Sequence, residues 1–230
     1  MSTLRVTIKI GGHLVSTEER IVDIDYFMAI ADVLREVHHQ VSKLTIVVGG
    51  GTLAREYIKA LSKVSIPEGL KDIVGIWAAR LNAMTLISIL SDIAYSSIPT
   101  SIEDYLRALS SSNVVVLGGL QPGQSTTTVA ALVAEAGLSD LLILTTDVDG
   151  IYTSDPKRDP NAKKLEVVHV DELEKLIVQE YYAGSYALLD SYAIRVLKRS
   201  RIRTFVINGR PPNNILRILS GERIGTEIVY

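Results

Sequence analysis

The chain has 230 residues, a hydrophobic fraction of 47% and a formal net charge of −2 at pH 7. This charge gives no basic footprint for a nucleic acid or an acidic membrane surface, and the absence of cysteine excludes disulfides, thiolate metal sites and a cysteine nucleophile. The N-terminal segment lacks the pattern of a signal peptide, and no apolar stretch reaches the ~18 residues that span a bilayer. We therefore expect a soluble, cytoplasmic protein without a nucleic-acid or membrane partner.

Short apolar runs that end in glycine or small polar residues alternate with helical patterns. In chain order they predict strand Arg5–Ile10, a helix that Asp25 caps, strand Leu44–Val48, helix Leu53–Leu61, a long and mostly buried helix Gly75–Ser91, strand Asn113–Leu117, a helix from Ser125 to Ala136, strand Leu141–Thr145, a strand near Leu165–Val170, a helix from Asp171, helix Asp190–Arg199, strand Thr204–Ile207, helix Asn214–Leu219 and strand Thr226–Val229. This alternation indicates right-handed crossovers and a mainly parallel sheet. With no linker or internal repeat, we predict one α/β domain over residues 1–230, a three-layer αβα sandwich around an open sheet of about eight strands.

Three of the predicted strands end in two or three glycines before a helix. These strand ends are Gly11-Gly12, Gly49-Gly50-Gly51 and Gly118-Gly119. In an open α/β sheet, ligands bind beyond the carboxyl ends of the strands, and glycine lets backbone N–H groups approach phosphate oxygens there. A single pair is explained equally well by a tight turn. Three of them together predict a phosphate-binding edge.

Two familiar phosphate-binding patterns nearly match these segments. Residues 49–54 have the spacing of a dinucleotide fingerprint, but Asp72 stands before a predicted helix, where the fingerprint requires an acid at a strand end. Residues 118–125 resemble a P-loop in which Gln124 replaces the lysine that reaches the β- and γ-phosphates. We therefore expect a different backbone cradle.

The charged residues are unevenly distributed around these segments. No lysine or arginine occurs between Arg107 and Lys157, so the loop from Leu120 to Thr126 is polar and uncharged, which suits a base or a sugar. The cations beside the glycine-rich ends are Lys9, Arg55 and Lys157, and each is a candidate phosphate ligand. A snorkelling lysine or a solvated arginine would explain Lys9 and Arg55 equally simply.

Acidic and histidine residues give no metal-ligand set. Asp147 and Asp149 follow a predicted strand, where they could organise Mg²⁺, orient the lysines or simply form a turn. The histidines are not spaced as metal ligands, and no residue triad supports a serine nucleophile. We predict no protein-held metal.

Five segments, in this order along nearly the whole chain, resemble the motifs of the amino acid kinase superfamily. They are Lys9-Ile-Gly-Gly, Val48-Gly-Gly-Gly-Thr-Leu-Ala-Arg55, Asp72-x-x-Gly75, Gly118-Gly-x-x-Pro-Gly-Gln-Ser-Thr126 and Thr146-Asp-Val-Asp-Gly-Ile-Tyr152-x-x-Asp155-Pro156. Within the superfamily the sequence is most similar to the archaeal type of uridylate kinase. The resemblance implies transfer of the γ-phosphoryl group of ATP to UMP in pyrimidine biosynthesis, with Mg²⁺ accompanying ATP, in a homohexamer that UTP inhibits.

Carried over by position, the resemblance divides the site into a donor side and an acceptor side. The implied ATP contacts are Lys9, Ile10, Gly11, Gly12, His13, Gly51, Arg55, Thr146, Tyr152 and Asp155. The implied UMP contacts are Gly50, Asp72, Leu120, Gln121, Pro122, Gly123, Gln124, Ser125 and Thr126. Because a phosphate monoester is largely a dianion at pH 7, its transfer needs no general base. Charge stabilisation by Lys9 and Arg55, with Asp147 orienting the lysines, would supply the catalysis.

Two residues depart from the family pattern and keep different functions open. His13 stands where serine or lysine is more usual, and Asp147 stands where uridylate kinases usually have asparagine or lysine. Relatives that form acylphosphates carry aspartate at that position, which favours a small carboxylate such as N-acetylglutamate as a second candidate acceptor. A non-catalytic nucleotide sensor and a dinucleotide-dependent oxidoreductase also stay open as functions.

Overall fold

The computed structural model describes residues 3–17, 19–173, 175 and 189–230 of the chain. The helices with assigned bounds are α1 (Gly12–Val15), α2 (Ile24–Gln40), α3 (Gly51–Leu61), α4 (Glu68–Ile89), α5 (Ile102–Ser111), α6 (Thr126–Ala136), α7 (Ser191–Ser200) and α8 (Asn214–Leu219). The strands are β1 (Arg5–Ile10), β2 (Lys43–Val48), β3 (Val114–Leu117), β4 (Leu141–Thr146), β5 (Ile151–Tyr152), β6 (Lys164–Leu165), β7 (Val167–His169), β8 (Arg203–Asn208) and β9 (Thr226–Val229). Most of the helix predicted from Asp171 falls outside the described residues.

The central sheet confirms the predicted α/β class. Within the described residues it has seven strands in the order β3-β2-β1-β4-β8-β9-β7, and β5 pairs with β6 in a separate two-stranded sheet. The strands β3, β2, β1, β4 and β8 are parallel, and β9 runs antiparallel to β8. The chain order reverses at β1, which lies between β2 and β4, so a ligand site is expected at the carboxyl end of β1.

Alternating side chains of the sheet build two buried layers. Ile8 and Ile46 belong to the layer that also contains buried residues of α2 and α4. Val47 and Leu144 belong to the opposite layer, with buried residues of α5, α6 and α7. Strands covered on both faces read as continuous apolar runs, which is why the sequence located them well.

Local contacts explain two differences from the predicted elements. Helix α2 is capped by Asp23 and not by Asp25, because the Asp23 carboxylate accepts from the Tyr26 N–H at 3.1 Å and also pairs with Arg210 at 2.9 Å. Helix α5 was not predicted, although Ser101 caps it by accepting from the Asp104 N–H. Its short amphipathic pattern buries Tyr105 and exposes most of its other side chains.

Helix α4 differs most from its prediction. It begins at Glu68 and not at Gly75. Gly75 instead lies inside the helix at a contact with α3, where an added Cβ would meet Ile58 Cδ1 at 3.3 Å. The prediction that it is mostly buried is wrong, since one face exposes a row of large apolar side chains. This outer row of α4 consists of Leu70, Ile73, Trp77, Leu81 and Met84.

The expectation that no stretch could span a bilayer is also wrong for α4 by length and composition. The helix has 22 residues, and its most apolar 18-residue window has a mean hydropathy of 1.3. Only 33% of that window is buried. The inner face of the same helix packs on α3 and on the strands β2 and β3. Its hydropathy therefore does not distinguish a helix that packs on a sheet from one that spans a bilayer.

Candidate active site

The glycine-rich ends of β1 and β2 pack directly against each other. An added Cβ on Gly12 would lie 2.2 Å from the Gly51 nitrogen, and one on Gly49 would lie 2.6 Å from the Gly12 nitrogen. Gly51 has a φ of +63°, which a residue with a side chain rarely adopts. These glycines are therefore required by backbone packing, a cause that the sequence pattern does not separate from phosphate binding.

Ser16 joins the same two strand ends, and sequence reasoning missed it. Its buried hydroxyl donates to the Gly12 carbonyl at 2.9 Å and accepts from the Thr52 N–H at 2.7 Å. The start of α3 is thereby fixed against α1. A single serine between two apolar residues and a polar, charged run carries no pattern that would have revealed this contact.

Asp147 is the centre of the donor side. Its Oδ1 lies 3.4 Å from His13 Nε2, and its Oδ2 accepts a short hydrogen bond from Lys157 Nζ. The Thr146 hydroxyl lies 3.3 Å from the same His13 nitrogen. The carboxylate thus joins α1 to the turn between β5 and β6.

Burial and charge shift the pKa values of this cluster. Burial lowers the pKa of Lys9, which lies on β1 between Val47 and Leu144, to about 8, although Asp147 acts in the opposite direction. Burial also lowers the pKa of His13 to about 4. Asp147 opposes that shift, whereas Lys9, Arg55 and Lys157 add to it. At pH 7 the imidazole is therefore neutral and Lys9 is mostly charged.

The pKa of Asp147 is lowered despite partial burial, which acts to raise it. The hydrogen bond and the positive charge of Lys157, together with His13 where acidic pH protonates it, outweigh that burial. Asp147 therefore stays ionised at neutral pH and can hold cationic side chains in place.

The other predicted donor residues lie around this cluster. Ile10 ends β1 and Gly11 follows it, and Arg55 is an exposed residue of α3 whose Nη2 donates to the Thr52 hydroxyl at 3.1 Å. Tyr152 lies in β5. The Asp155 carboxylate accepts from the Lys157 N–H at 2.9 Å, so it shapes the turn that carries Lys157.

An open cleft of about 510 Å³ forms the acceptor side. It is lined by Gly50, Ala54, Ile58, Asp72, Gly75, Ile76, Ala79, Gly119, Gln124 and Thr126. Four predicted UMP contacts, at positions 50, 72, 124 and 126, thus line one cleft. Leu120 instead lies in the core, while Gln121, Pro122, Gly123 and Ser125 are exposed on the loop that borders the cleft.

Helix α4 holds that loop, residues 119–125, which we call the acceptor loop. The Asp72 Oδ2 accepts from the Gly123 N–H at 2.8 Å. Arg80, which sequence reasoning missed, donates from Nε to the Gly119 carbonyl at 3.0 Å and from Nη2 to the Leu120 carbonyl at 3.3 Å. One carboxylate oxygen of Asp72, a predicted UMP contact, is therefore already hydrogen-bonded to the acceptor loop.

The end of the acceptor loop is fixed by Asp190. Its carboxylate accepts hydrogen bonds from the hydroxyls of Ser125 and Thr128. It also accepts from the N–H groups of Tyr192 and Ala193, both at 2.9 Å. The sequence identified Asp190 as a helix cap but gave no sign of its link to the loop. Because the Ser125 hydroxyl donates to Asp190, its proton is not directed at the cleft.

Gln124 offers a hydrogen-bond acceptor to a ligand of the cleft. Its Oε1 is buried and has no hydrogen-bond partner within the described part of the chain. An unpaired buried acceptor costs roughly 1–3 kcal/mol, so a ligand that donates an N–H or O–H here would remove that cost.

Carboxylates on the donor side do not form a metal cage. Within residues 3–17, 19–173, 175 and 189–230, no group of three His, Cys, Asp or Glu side chains is placed to hold a metal ion. Asp147 is held by Lys157 and His13, and Asp149 accepts from the Asn208 amide at 2.8 Å. A divalent cation here would take most of its ligands from a bound phosphate group.

Known proteins match this fold and sequence over nearly the full length. The model of the amino acid kinase family matches residues 5–208. A uridylate kinase of Sulfurisphaera tokodaii is 40% identical over 98% of this chain and 99% of its own, and one of Hyperthermus butylicus is 43% identical over 97% of each.

Solved structures agree. The uridylate kinase of Archaeoglobus fulgidus superimposes with a TM-score of 0.86 at 35% identity, over 98% of this chain and 100% of that one. The UMP kinase of Ureaplasma parvum, at 23% identity and a TM-score of 0.82, shares the fold. The chain belongs to the amino acid kinase family, as an enzyme of its archaeal uridylate kinase group.

Proposed function

We propose that this enzyme transfers the γ-phosphoryl group of ATP to UMP, giving UDP and ADP for pyrimidine nucleotide synthesis in the cytoplasm. The observation that carries the proposal is the unpartnered Gln124 Oε1, within the described part of the chain, at the wall of a glycine-lined cleft in which Asp72 is the one charged residue among the described ones. Uracil offers an N–H between two carbonyl oxygens, and a glutamine amide has the complementary acceptor and donor. The uridylate kinases that match the chain support the same acceptor.

The donor side is suited to a polyphosphate. Lys9, Arg55 and Lys157 all act on His13 electrostatically, so their charges converge on one place at the carboxyl end of β1. Lys9 and Arg55 would stabilise the negative charge of the transferring phosphoryl group, and Asp147 would keep the lysines oriented. Such preorganised charge is the main contribution that a protein makes to phosphoryl transfer.

The acceptor phosphate needs no general base in this reaction. Its second pKa is near 6, so at pH 7 it is largely a dianion and already nucleophilic. The acceptor phosphate therefore carries no proton that His13 would have to remove. The neutral imidazole of His13 would instead donate a hydrogen bond at the donor side. Gly50, which lines the cleft, would contact the acceptor, and Gly51 with Gly11 and Gly12 would contact the donor.

Mg²⁺ would enter with ATP, held mainly by the phosphate oxygens. When bound, it supplies charge neutralisation between the donor phosphates. The remaining implied contacts, Ile10, Thr146, Tyr152 and Asp155 for ATP and residues 121–126 with Asp72 for UMP, keep the assignments that the family resemblance gives them. Leu120, whose side chain lies in the core, is left out of the UMP contacts.

An acceptor panel with Mg-ATP tests the proposal. UMP, CMP, N-acetylglutamate and carbamate are compared by ADP release and by direct detection of each phosphorylated product. We expect UMP to give the highest kcat/KM by at least tenfold. If a carboxylate is turned over in preference to UMP, the acceptor is that carboxylate and not UMP. This alternative is included because relatives that form acylphosphates carry aspartate at the position of Asp147. Nucleotide binding without turnover would instead indicate a sensor.

The outer row of α4 supports assembly with further copies of this chain. Its five apolar residues recur at steps of three and four along the helix, which is the spacing of a helix–helix seam. We propose that a second copy covers this row within a homohexamer, and that UTP inhibits the enzyme by resembling its nucleotide ligands. Light scattering tests the assembly, and Leu81→Asp should yield a smaller species; unchanged mass would contradict the role of this row.

A further inference from the structure

Helix α4 contacts the acceptor loop near both of the loop's ends. Arg80 binds the carbonyls of Gly119 and Leu120, where the loop begins, and Asp72 binds the Gly123 N–H near the loop's other end. The two side chains come from positions eight residues apart, about 12 Å along the helix. Helix α4 therefore holds the acceptor loop at two points whose separation is set by the helix itself.

Arg80 has an unusual set of partners for a partly buried cation. Its guanidinium lies 5.3 Å from the centre of the Trp77 ring, and no carboxylate in the described part of the chain pairs with it. Burial lowers the pKa of Arg80. Two loop carbonyls and one aromatic ring therefore replace the counterion that a buried arginine ordinarily has.

We infer that Arg80 is a positioning residue for the acceptor side, which fixes the acceptor loop so that the cleft and the Gln124 amide are preformed. The inference rests on the proposed function. The guanidinium holds two successive carbonyls through separate N–H groups in one plane, which a lysine ammonium cannot reproduce. Gly119 and Gln124, near the two ends of the acceptor loop, both line the cleft. A shift of the loop therefore changes the shape of the cleft.

A merely structural role and a positioning role predict different kinetics. If Arg80 only stabilised the fold, its loss would lower the Tm and affect both substrates alike. If it positions the acceptor loop, its loss should raise KM for UMP and leave KM for ATP unchanged. The donor residues lie on β1, α1, α3, the segment after β4 and the turn after β5, whereas Arg80 lies on α4 and donates its hydrogen bonds to the acceptor loop.

The test compares Arg80→Ala and Arg80→Lys with the wild type in the intact enzyme. Arg107→Ala serves as the matched control, because Arg107 is an exposed arginine of α5 that pairs with Asp104 of the same helix and does not line the cleft. We expect KM for UMP to rise at least tenfold in Arg80→Ala and by a smaller factor in Arg80→Lys. KM for ATP should stay within twofold in every variant, and Arg107→Ala should match the wild type.

Amide hydrogen exchange of residues 119–125 without substrate gives a second readout that does not depend on turnover. Exchange should accelerate in this segment in Arg80→Lys, which also serves if Arg80→Ala does not fold. A UMP KM within twofold of the wild type, or an equal rise in the ATP KM, overturns the inference alone. A wild-type enzyme that phosphorylates no UMP overturns the proposed function and this inference with it.

Discussion

The two sides of the active-site edge are built in different ways. On the donor side, Lys9 of β1, Lys157 of the turn after β5 and the imidazole of His13 gather around Asp147, and Arg55 of α3 acts on the same imidazole. On the acceptor side, Asp72 is the one charged residue among the described residues that line the cleft, and the loop is held by its backbone. The difference suits the two tasks, because a polyphosphate is held by charge and a nucleoside by shape and hydrogen bonds. Mutations should therefore affect kcat on one side and KM for UMP on the other.

The largest effect should come from the boundary between the sides. Gly51→Ala places a Cβ 2.2 Å from Ser16 Oγ and forces a side chain into a φ of +63°. We expect a loss of about 3 kcal/mol in the free energy of unfolding, measured by urea denaturation. Gly69→Ala is the matched control, since its Cβ would meet nothing within 4 Å, and it should be neutral or slightly stabilising. Equal stabilities of the two variants would contradict the packing argument.

Lys9→Ala should affect the donor side of the active site and leave the acceptor side largely unchanged, which kcat and KM for UMP report separately. Removing this cation takes away charge stabilisation of the transferring group, so we expect kcat to fall by more than tenfold. KM for UMP should change less than threefold, and the Tm should stay close to that of the wild type. Lys59→Ala, an exposed lysine on α3, controls for the loss of one positive charge. A near-normal kcat in Lys9→Ala would remove Lys9 from the catalytic residues.

Much of this donor side was predictable from sequence. Parallel strands bring their carboxyl ends to one edge, so Lys9 at the end of β1 and Asp147 after β4 were expected at the same edge of the sheet. Their closeness also requires that β1 and β4 are neighbours, which the structure shows. The contact between Asp147 and Lys157 was not predictable in the same way. It depends on the pairing of β5 with β6, two-residue strands too short to leave a pattern.

The acceptor side was less visible, because its contacts join distant parts of the chain through backbone atoms. The Arg80 contact to the Gly119 carbonyl spans 39 residues and the Asp72 contact to the Gly123 N–H spans 51. A carbonyl carries no residue identity, so no motif marks the position of such a partner. The outer row of α4 was misassigned for a related reason, since apolar periodicity is the same for a core face and an exposed face.

The pH dependence of the donor side should follow Lys9. Its pKa of about 8 in the folded enzyme lies below the ordinary 10.5, so kcat/KM for ATP should fall up to tenfold per pH unit above about 8. Between these two values the unfolded chain binds more protons than the folded one, so the contribution of Lys9 to stability rises with pH. The loss of activity is thus expected without unfolding. Lys9→Arg keeps its charge and should move the decline to higher pH; an unchanged profile would contradict the assignment.

The smallest effect is expected at His13, although it touches the centre of the donor side. Because its pKa is lowered to about 4, the imidazole contributes a hydrogen bond to Asp147 or Thr146 and no charge at pH 7. His13→Gln keeps a side-chain amide that can donate in the same direction, so kcat should stay within threefold, with no change in its pH profile between 6 and 8. A larger fall, or a new pH dependence, would show that ATP binding recharges the imidazole. In that case His13 would join Lys9, Arg55 and Lys157 as a cation of the donor side, and the contrast with the acceptor cleft, whose described lining holds no cation, would be sharper still.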